Sequence, residues 1–158
     1  MSSSAPTTLT PANSTVLLVE DNLDDVLLTR RAFRKAGLAS ALQVAGDGDE
    51  AVAYLAGDGA FADRQAHPLP SLVLLDWKLP RRSGREVLQW VRAQERFTAL
   101  PVVVLTSSRE QEDIDQAYSA GANSYIQKPV LLEKLAELSE RLHAYWLETN
   151  VVSSRPRP

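Results

Sequence analysis

The chain has 158 residues, of which 44% are hydrophobic, with a formal net charge of −3 and no cysteine. This length fits one domain whose core needs neither disulfides nor metals. The lack of cysteine excludes disulfide scaffolds, thiolate zinc sites and thiol catalysis, and the slight negative charge disfavours general attraction to nucleic acid or anionic membranes. No apolar run approaches the roughly 18 residues of a membrane span.

The two ends of the chain differ from the part between them. Residues 1–13 are rich in Ser, Thr and Pro and lack the basic start and apolar middle of a secretory signal. We predict a flexible N-terminal tail over 1–13, one domain over 14–148 and a C-terminal tail over 149–158. We expect the protein to be cytoplasmic.

Short apolar runs alternate with segments of helical spacing along the domain. Such runs are typical of parallel strands that are buried on both faces. We predict strands over residues 15–20, 41–45, 71–76, 101–106 and 124–127, and helices over residues 23–36, 50–56, 84–94, 110–120 and 131–145. Residues 57–70 are predicted to form a loop that is long for a compact domain. Five strand–helix repeats predict an α/β fold in which helices cover both faces of a parallel sheet.

Polar residues stand where these strands end. Glu20 and Asp21 end the first strand, Asp76 the third and Thr106 the fourth, and Lys128 follows the fifth. The carboxyl ends of parallel strands form the ligand-binding edge of such a sheet. Carboxylates crowded at that edge repel one another unless a cation lies between them, and an oxygen-only set without His or Cys favours Mg²⁺. We therefore predict a Mg²⁺ site here.

Asp76 could act in this setting as a nucleophile toward phosphorus and form an aspartyl phosphate. Phosphoryl transfer depends mainly on positioning and on neutralising charge. Mg²⁺ and the Lys128 ammonium would neutralise the phosphoryl group, and the Thr106 hydroxyl would donate a hydrogen bond to one of its oxygens. These roles define the predicted catalytic set.

A family resemblance rests on these residues and their spacing. Gly84 stands eight residues after Asp76, and Thr106 stands 30 after it. The full set of matching positions is Val19–Asn22, Leu74–Pro80, Gly84, Thr106, Tyr125, Lys128 and Pro129. With this set the chain resembles the receiver domain of the two-component response regulators, over roughly residues 15–148.

The resemblance implies a flavodoxin-like (βα)5 three-layer sandwich with parallel strand order 2-1-3-4-5. It implies a histidine kinase as the phosphoryl donor, and activity limited to self-catalysed phosphotransfer and dephosphorylation rather than enzymatic turnover. It also adds the backbone carbonyl of Lys78 to the Mg²⁺ ligands and a cis peptide bond before Pro129. In the implied switch, Thr106 moves toward the phosphoryl group and Tyr125 rotates inward.

A narrower resemblance points to one subgroup. The segment Asn22–Asp25, the long loop before Ser71 and the segment Tyr145–Leu147 resemble the small stand-alone receivers that partner bacterial phytochromes. The resemblance implies a homodimer formed through the fourth helix, the fifth strand and the fifth helix. We expect no nucleic-acid partner and no membrane partner.

Several alternatives stay open at this point. A receiver-like binding module that takes no phosphate is one, and a phosphatase with an aspartate nucleophile is another. A phosphatase of the haloacid dehalogenase type would need a second aspartate where Lys78 stands. Lys78 could steady a phosphoryl group or obstruct a water, and the sequence does not decide between these effects. We predict cap or surface roles for Asp24 and Asp25, with metal binding as the alternative. We predict solvated side chains for Arg81, Arg82 and Arg85, with kinase contact as the alternative.

Overall fold

The computed structural model describes residues 15–128, together with Glu137 and Arg141. Several predicted features lie outside the described residues: both tails, all but Glu137 and Arg141 of the helix over 131–145, the segment Tyr145–Leu147 and the cis peptide bond before Pro129. No helix in the described part of the chain has the length and apolar content of a membrane span.

Strands and helices alternate along residues 15–128. The strands are β1 (Val16–Val19), β2 (Leu42–Ala45), β3 (Leu72–Leu75), β4 (Val102–Thr106) and β5 (Ser124–Gln127). The helices are α1 (Leu23–Lys35), α2 (Gly48–Ala56), α3 (Gly84–Ala93) and α4 (Gln111–Ser119), and short 3-10 turns occur at Ala39–Ala41, Gly59–Phe61 and Glu95–Phe97. Each bound of these strands and helices lies within two residues of its predicted position.

The five strands form one parallel sheet in the order β2-β1-β3-β4-β5. This order confirms the predicted flavodoxin-like topology. The strand order reverses at β1, which pairs with β2 on one side and with β3 on the other. Val19 at the end of β1 therefore lies beside Leu75 at the end of β3, and the residues that follow these two strands share the crevice where such folds bind ligands.

Side chains alternate between the two faces of the sheet, as the pleat of a strand requires. In β1, Leu17 and Val19 pack in a core with residues of α2, α3 and α4. Val16 and Leu18 point the other way and pack in a core that includes Phe33 of α1. The strands are thus buried on both faces, which explains their continuous apolar runs.

Side-chain caps start α1, α2 and α3, and those of α1 and α3 follow the two strands that lead to the site. The Oδ1 of Asn22 accepts a hydrogen bond from the N–H of Asp25 at 3.1 Å, which caps α1. Ser83 and Glu86 form a reciprocal capping box at the start of α3, with both hydrogen bonds at 3.1 Å. Because each cap contributes about 1 kcal/mol, the turns that follow β1 and β3 are held in one geometry.

Residues 57–70, predicted as a long loop, are fastened to the end of α2. The guanidinium of Arg64 donates to the carbonyl oxygens of Tyr54 at 2.8 Å and Leu55 at 2.9 Å. These carbonyls belong to the last turn of the helix, where carbonyl groups have no N–H partner within the helix. The Tyr54 hydroxyl donates in turn to the carbonyl oxygen of Pro68 at 2.8 Å. The segment is therefore an integral part of the α2 side of the domain.

Candidate functional site

Three carboxylates meet where β1 and β3 end. The N–H of Asp76 donates to the carbonyl oxygen of Val19 at 3.0 Å, so the two chain segments leave the sheet side by side. Carboxylate oxygens of Glu20, Asp21 and Asp76 lie within 4.8 Å of one another. Glu20 and Asp76 are buried, whereas Asp21 is exposed. The structure thus brings these three sequence-predicted ligands together at a site that opens to solvent on the side of Asp21.

The Lys128 ammonium lies among these carboxylates. Its Nζ donates to the carboxylate of Glu20, donates to Oδ2 of Asp25 at 2.9 Å and lies 3.8 Å from Oδ2 of Asp76. The N–H of Lys128 donates to the carbonyl oxygen of Thr106 at 2.8 Å, which seats the lysine next to the end of β4. The predicted cap or surface role of Asp25 was therefore incomplete, because its side chain also holds Lys128.

Burial and crowding perturb the two central charges. Burial raises the pKa of Glu20 to about 7; the neighbouring Asp76 acts in the same direction, while the Lys128 hydrogen bond opposes the rise. For Lys128, burial alone would lower the pKa, but hydrogen bonds to Glu20 and Asp25 outweigh it and raise the pKa. A bound cation would favour the charged form of the buried Glu20 carboxylate and so oppose the rise in its pKa.

The donor set fits a hard divalent cation. It consists of carboxylate oxygens, and Mg²⁺ and its relatives bind oxygen ligands while keeping several waters. One oxygen of the Asp76 carboxylate faces Lys128, and the other, Oδ1, accepts a 3.4 Å hydrogen bond from the N–H of Lys78. That the backbone carbonyl of Lys78 is a further Mg²⁺ ligand stays a prediction.

Thr106 presents an unusual buried hydroxyl at the end of β4. The residue is fully buried, and its Oγ1 has no hydrogen-bond partner within the described chain. Leaving a buried hydroxyl unpaired costs about 1–3 kcal/mol, so such groups are rare in folded proteins. An unpaired donor at the ligand-binding edge is suited to an acceptor that arrives from outside, as a phosphoryl oxygen would.

Tyr125 lies on β5 opposite Val104 of β4. Its ring is half-buried against the core on the α2, α3 and α4 side, and its hydroxyl donates to the carbonyl oxygen of Ser108 at 2.9 Å. Burial raises the pKa of this phenol. The residue predicted to act as a switch is therefore tied to the segment that joins Thr106 to α4.

A second polar cluster, missed by the sequence predictions, joins the loop after Asp76 to α4. The Nζ of Lys78 lies 3.3 Å from Oδ2 of Asp113, and the Ser108 hydroxyl donates to the same oxygen at 2.5 Å. The Ser108 hydrogen bond, with help from Lys78, lowers the pKa of Asp113. The sequence did contain one signal of this cluster. Asp113 stands four residues before the buried Ala117, a spacing that places both on the buried face of α4.

The same loop contacts the start of α2 on its other side. The Nε of Arg82 lies 3.0 Å from Oδ1 of Asp49, and the Nε of Arg81 lies 3.6 Å from Oδ2 of Asp47. A Cβ at Gly48 would come within 2.0 Å of the Arg82 carbonyl oxygen, so only glycine allows this approach. Arg81 is 70% exposed, as predicted, and Arg82 is partly exposed; both also form ion pairs that the sequence did not predict.

Comparison with known protein families agrees with this geometry. Residues 16–140 match the family model described as the response regulator receiver domain. The chain belongs to this family. The match covers all five strands of the receiver domain and each of the residues brought together at its carboxyl edge.

Individual proteins of this family resemble the chain in both sequence and structure. The chain is 40% identical over 135 residues to the probable methanogenesis regulatory protein FilR2 of Methanothrix harundinacea (strain 6Ac), covering 85% of this chain and 84% of that protein. It is 34% identical to the phosphorylated cyanobacterial phytochrome response regulator RcpA, whose crystal structure gives a TM-score of 0.78 over 90% of this chain and 99% of that one. The Mn(2+)-bound form of response regulator Rcp1 is 32% identical, with a TM-score of 0.75 over 89% and 99% of the two chains. The resemblance to phytochrome response regulators is thereby confirmed.

Proposed function

We propose that this receiver domain is the phosphoacceptor of a two-component phosphorelay, with Asp76 as the residue that a sensor histidine kinase phosphorylates. One observation carries the proposal: the Asp76 carboxylate lies within 4.8 Å of the Glu20 and Asp21 carboxylates and 3.8 Å from the Lys128 ammonium. Acidic ligands on one side and a cation on the other are what a phosphoryl group on Asp76 would require.

The chemistry follows from the positions of these groups. A carboxylate oxygen of Asp76 attacks phosphorus, the bond to the donor histidine nitrogen breaks, and that nitrogen keeps the electron pair. A divalent cation, which we propose to be Mg²⁺ held by Glu20, Asp21 and Asp76, supplies charge neutralisation when bound. The Lys128 ammonium then pairs with the phosphoryl oxygens on its own side.

Asp25 gives Lys128 a second anchor. In the structure the Lys128 ammonium donates hydrogen bonds to both Glu20 and Asp25. When Glu20 serves as a metal ligand, Asp25 keeps the ammonium beside Asp76. The flexible side chain of lysine suits this role, because its ammonium can move toward the phosphoryl group and still stay close to the Asp25 carboxylate.

Thr106 and Tyr125 connect the chemistry to a surface. The unpaired Thr106 hydroxyl gains its missing acceptor when a phosphoryl group arrives, so β4 and the segment after it move toward Asp76. Because the Tyr125 hydroxyl bonds the carbonyl oxygen of Ser108 in that segment, the ring is displaced in the same step. The face formed by α4 and β5 is then the surface that a partner reads.

We extend the proposal to partners. The kinase is a bacteriophytochrome, a choice supported by the likeness to RcpA. The domain forms a homodimer through the fourth helix, the fifth strand and the fifth helix; β5 is an edge strand, and Tyr118 on α4 has 49% of its surface exposed. Phosphotransfer from a purified phytochrome kinase and sedimentation over a range of concentrations test these two points separately.

Mass spectrometry with acetyl phosphate and Mg²⁺ tests the central claim. Wild type is expected to gain one phosphoryl group, and Asp76→Asn is expected to gain none. Asp24→Asn, in the exposed first turn of α1, is the matched control and should behave like wild type. Failure of wild type to take up phosphate would favour a binding module, and release of many phosphates per protein would favour a phosphatase.

A further inference from the structure

The Lys78–Asp113 ion pair bridges two elements that flank the acceptor. Lys78 stands two residues after Asp76, and its ammonium reaches Oδ2 of Asp113 in the first turn of α4 at 3.3 Å. The Lys78 side chain is 62% exposed, whereas the Asp113 side chain is 11% exposed. The lysine is therefore the mobile partner and the aspartate the fixed one.

The loop that carries Lys78 is held on its far side. Arg82 and Arg81 pair with Asp49 and Asp47 at the start of α2. The backbone of Arg82 also packs directly against Gly48. With these contacts in place, the Lys78 side chain can exchange partners while the rest of the loop keeps its position.

Asp113 is connected to the surface proposed above. The Ser108 hydroxyl donates to Asp113, and the Ser108 carbonyl accepts from the Tyr125 hydroxyl at 2.9 Å. Losing Lys78 would leave the largely buried Asp113 carboxylate with one fewer cation. The first turn of α4 and the Ser108 segment would then lose part of what holds them in the phosphate-free arrangement.

We propose that Asp113 is a positioning residue that retains the Lys78 ammonium in the phosphate-free protein, and that phosphorylation of Asp76 draws Lys78 from Asp113 to the phosphoryl group and thereby releases the first turn of α4. A phosphoryl group carries about −1.5 to −2 charges, more than one carboxylate. The ion pair is largely exposed on the lysine side, which makes it weak enough to exchange. This inference rests on the proposed function.

Binding of beryllofluoride in the presence of Mg²⁺ measures the competition. Asp113→Asn frees Lys78, so the variant is expected to bind this phosphoryl mimic roughly threefold more tightly, the change that the loss of one exposed ion pair would produce. Lys78→Met removes both the ion pair with Asp113 and the contact of Lys78 with the mimic. This variant should therefore not bind beryllofluoride more tightly than wild type does. The double variant should behave like Lys78→Met alone, because the effect of Asp113 acts through Lys78. Asp115→Asn, exposed on the same helix, is the control of equal charge.

A second measurement needs neither metal nor phosphate. Amide hydrogen exchange in the first turn of α4 should be faster in Asp113→Asn and in Lys78→Met than in wild type, and unchanged in Asp115→Asn. Lys78→Arg keeps a cation and should restore slow exchange. Because Lys78 is largely exposed, its variants are expected to fold even if Asp113→Asn does not.

The outcomes separate the two proposals. Wild type that binds no beryllofluoride and takes no phosphoryl group would overturn the proposed function. Wild type that binds normally, with Asp113→Asn no tighter than wild type, would overturn the inference alone. The inference would fail equally if the double variant bound as tightly as Asp113→Asn, since Lys78 would then have no part in the effect.

Discussion

The hydroxyl of Tyr125 and the carbonyl oxygen of Ser108 are joined by a hydrogen bond of 2.9 Å. Ser108 lies two residues after Thr106, whose buried hydroxyl has no partner in the described chain. The short stretch of backbone from Thr106 to Ser108 therefore connects the unpaired Thr106 hydroxyl with the Tyr125 ring on the α4 and β5 face. In the switch that we propose, this stretch transmits movement at Thr106 to the ring.

Replacing Tyr125 with Phe removes that hydrogen bond while keeping the ring. We expect the free energy of unfolding to fall by about 1 kcal/mol, the usual net value of one hydrogen bond, and amide exchange in the Ser108 segment to become faster. Urea denaturation and hydrogen exchange measure the two effects. Tyr118→Phe alters an exposed tyrosine and serves as the control. Equal stability and equal exchange in wild type and Tyr125→Phe would show that the bond does not restrain the segment.

Thr106→Val is expected to separate stability from function. Valine has nearly the shape of threonine without the hydroxyl, so the variant should be more stable by about 1 kcal/mol, because an unpaired buried polar group is removed. Its phosphoryl uptake from acetyl phosphate should be slower, because a donor to the phosphoryl group is lost. Thr106→Ser keeps the donor and should retain uptake. A variant less stable than wild type would mean that the hydroxyl already has a partner.

Gly84 allows α3 to begin in contact with the acceptor backbone. A Cβ at this position would lie 2.4 Å from the Asp76 carbonyl oxygen and 2.7 Å from the Cα of Trp77. We expect Gly84→Ala to destabilise the protein by about 2 kcal/mol, as overpacking does, and to slow phosphoryl uptake by displacing Asp76. Gly46→Ala is the control, because the nearest atom to its added Cβ is 3.9 Å away. Thermal denaturation measures the stability of both variants. An equal loss of stability in Gly84→Ala and Gly46→Ala would refute this argument.

The raised pKa of Glu20 predicts a pH dependence for the metal-free protein. Its pKa is about 7 in the folded state and 4.5 in the reference state, so the folded protein binds more protons between these values. The contribution of Glu20 is fully present below pH 4.5 and is lost as the pH rises through about 7. Denaturation in EDTA should therefore show stability falling across this window. Glu20→Gln should flatten the curve, and an unchanged slope would assign the effect to another group.

The sheet and the site residues could be predicted because each depends on a local pattern. Five apolar runs define the strands, and parallel topology places the ends of these strands at one edge, so Glu20, Asp21, Asp76 and Thr106 followed from position alone. The first two residues of α2, Gly48 and Asp49, were not predicted to be helical. The helix begins at Gly48 because Asp47 caps it by accepting a hydrogen bond from the N–H of Glu50 at 2.8 Å.

Contacts between distant side chains could not be predicted in this way. Asp25 bonds Lys128 across 103 positions of sequence, and Lys78 meets Asp113 only because the loop after β3 and the start of α4 pack side by side. A charge on a helix surface has the same sequence pattern whether it is solvated or paired. Such pairings follow from tertiary structure and become visible once the fold is known.

Arg64 gives the segment before β3 a practical importance for protein engineering. Its guanidinium completes the hydrogen bonding of the carbonyls at the end of α2, and a Cβ at Gly57 would lie 2.8 Å from Nη2 of Arg64. A fluorescent protein or affinity tag inserted between Gly57 and Arg64 would separate these partners. Biosensors built on this chain therefore need fusion points elsewhere, and a version with this segment shortened would be a less stable protein rather than a minimal one.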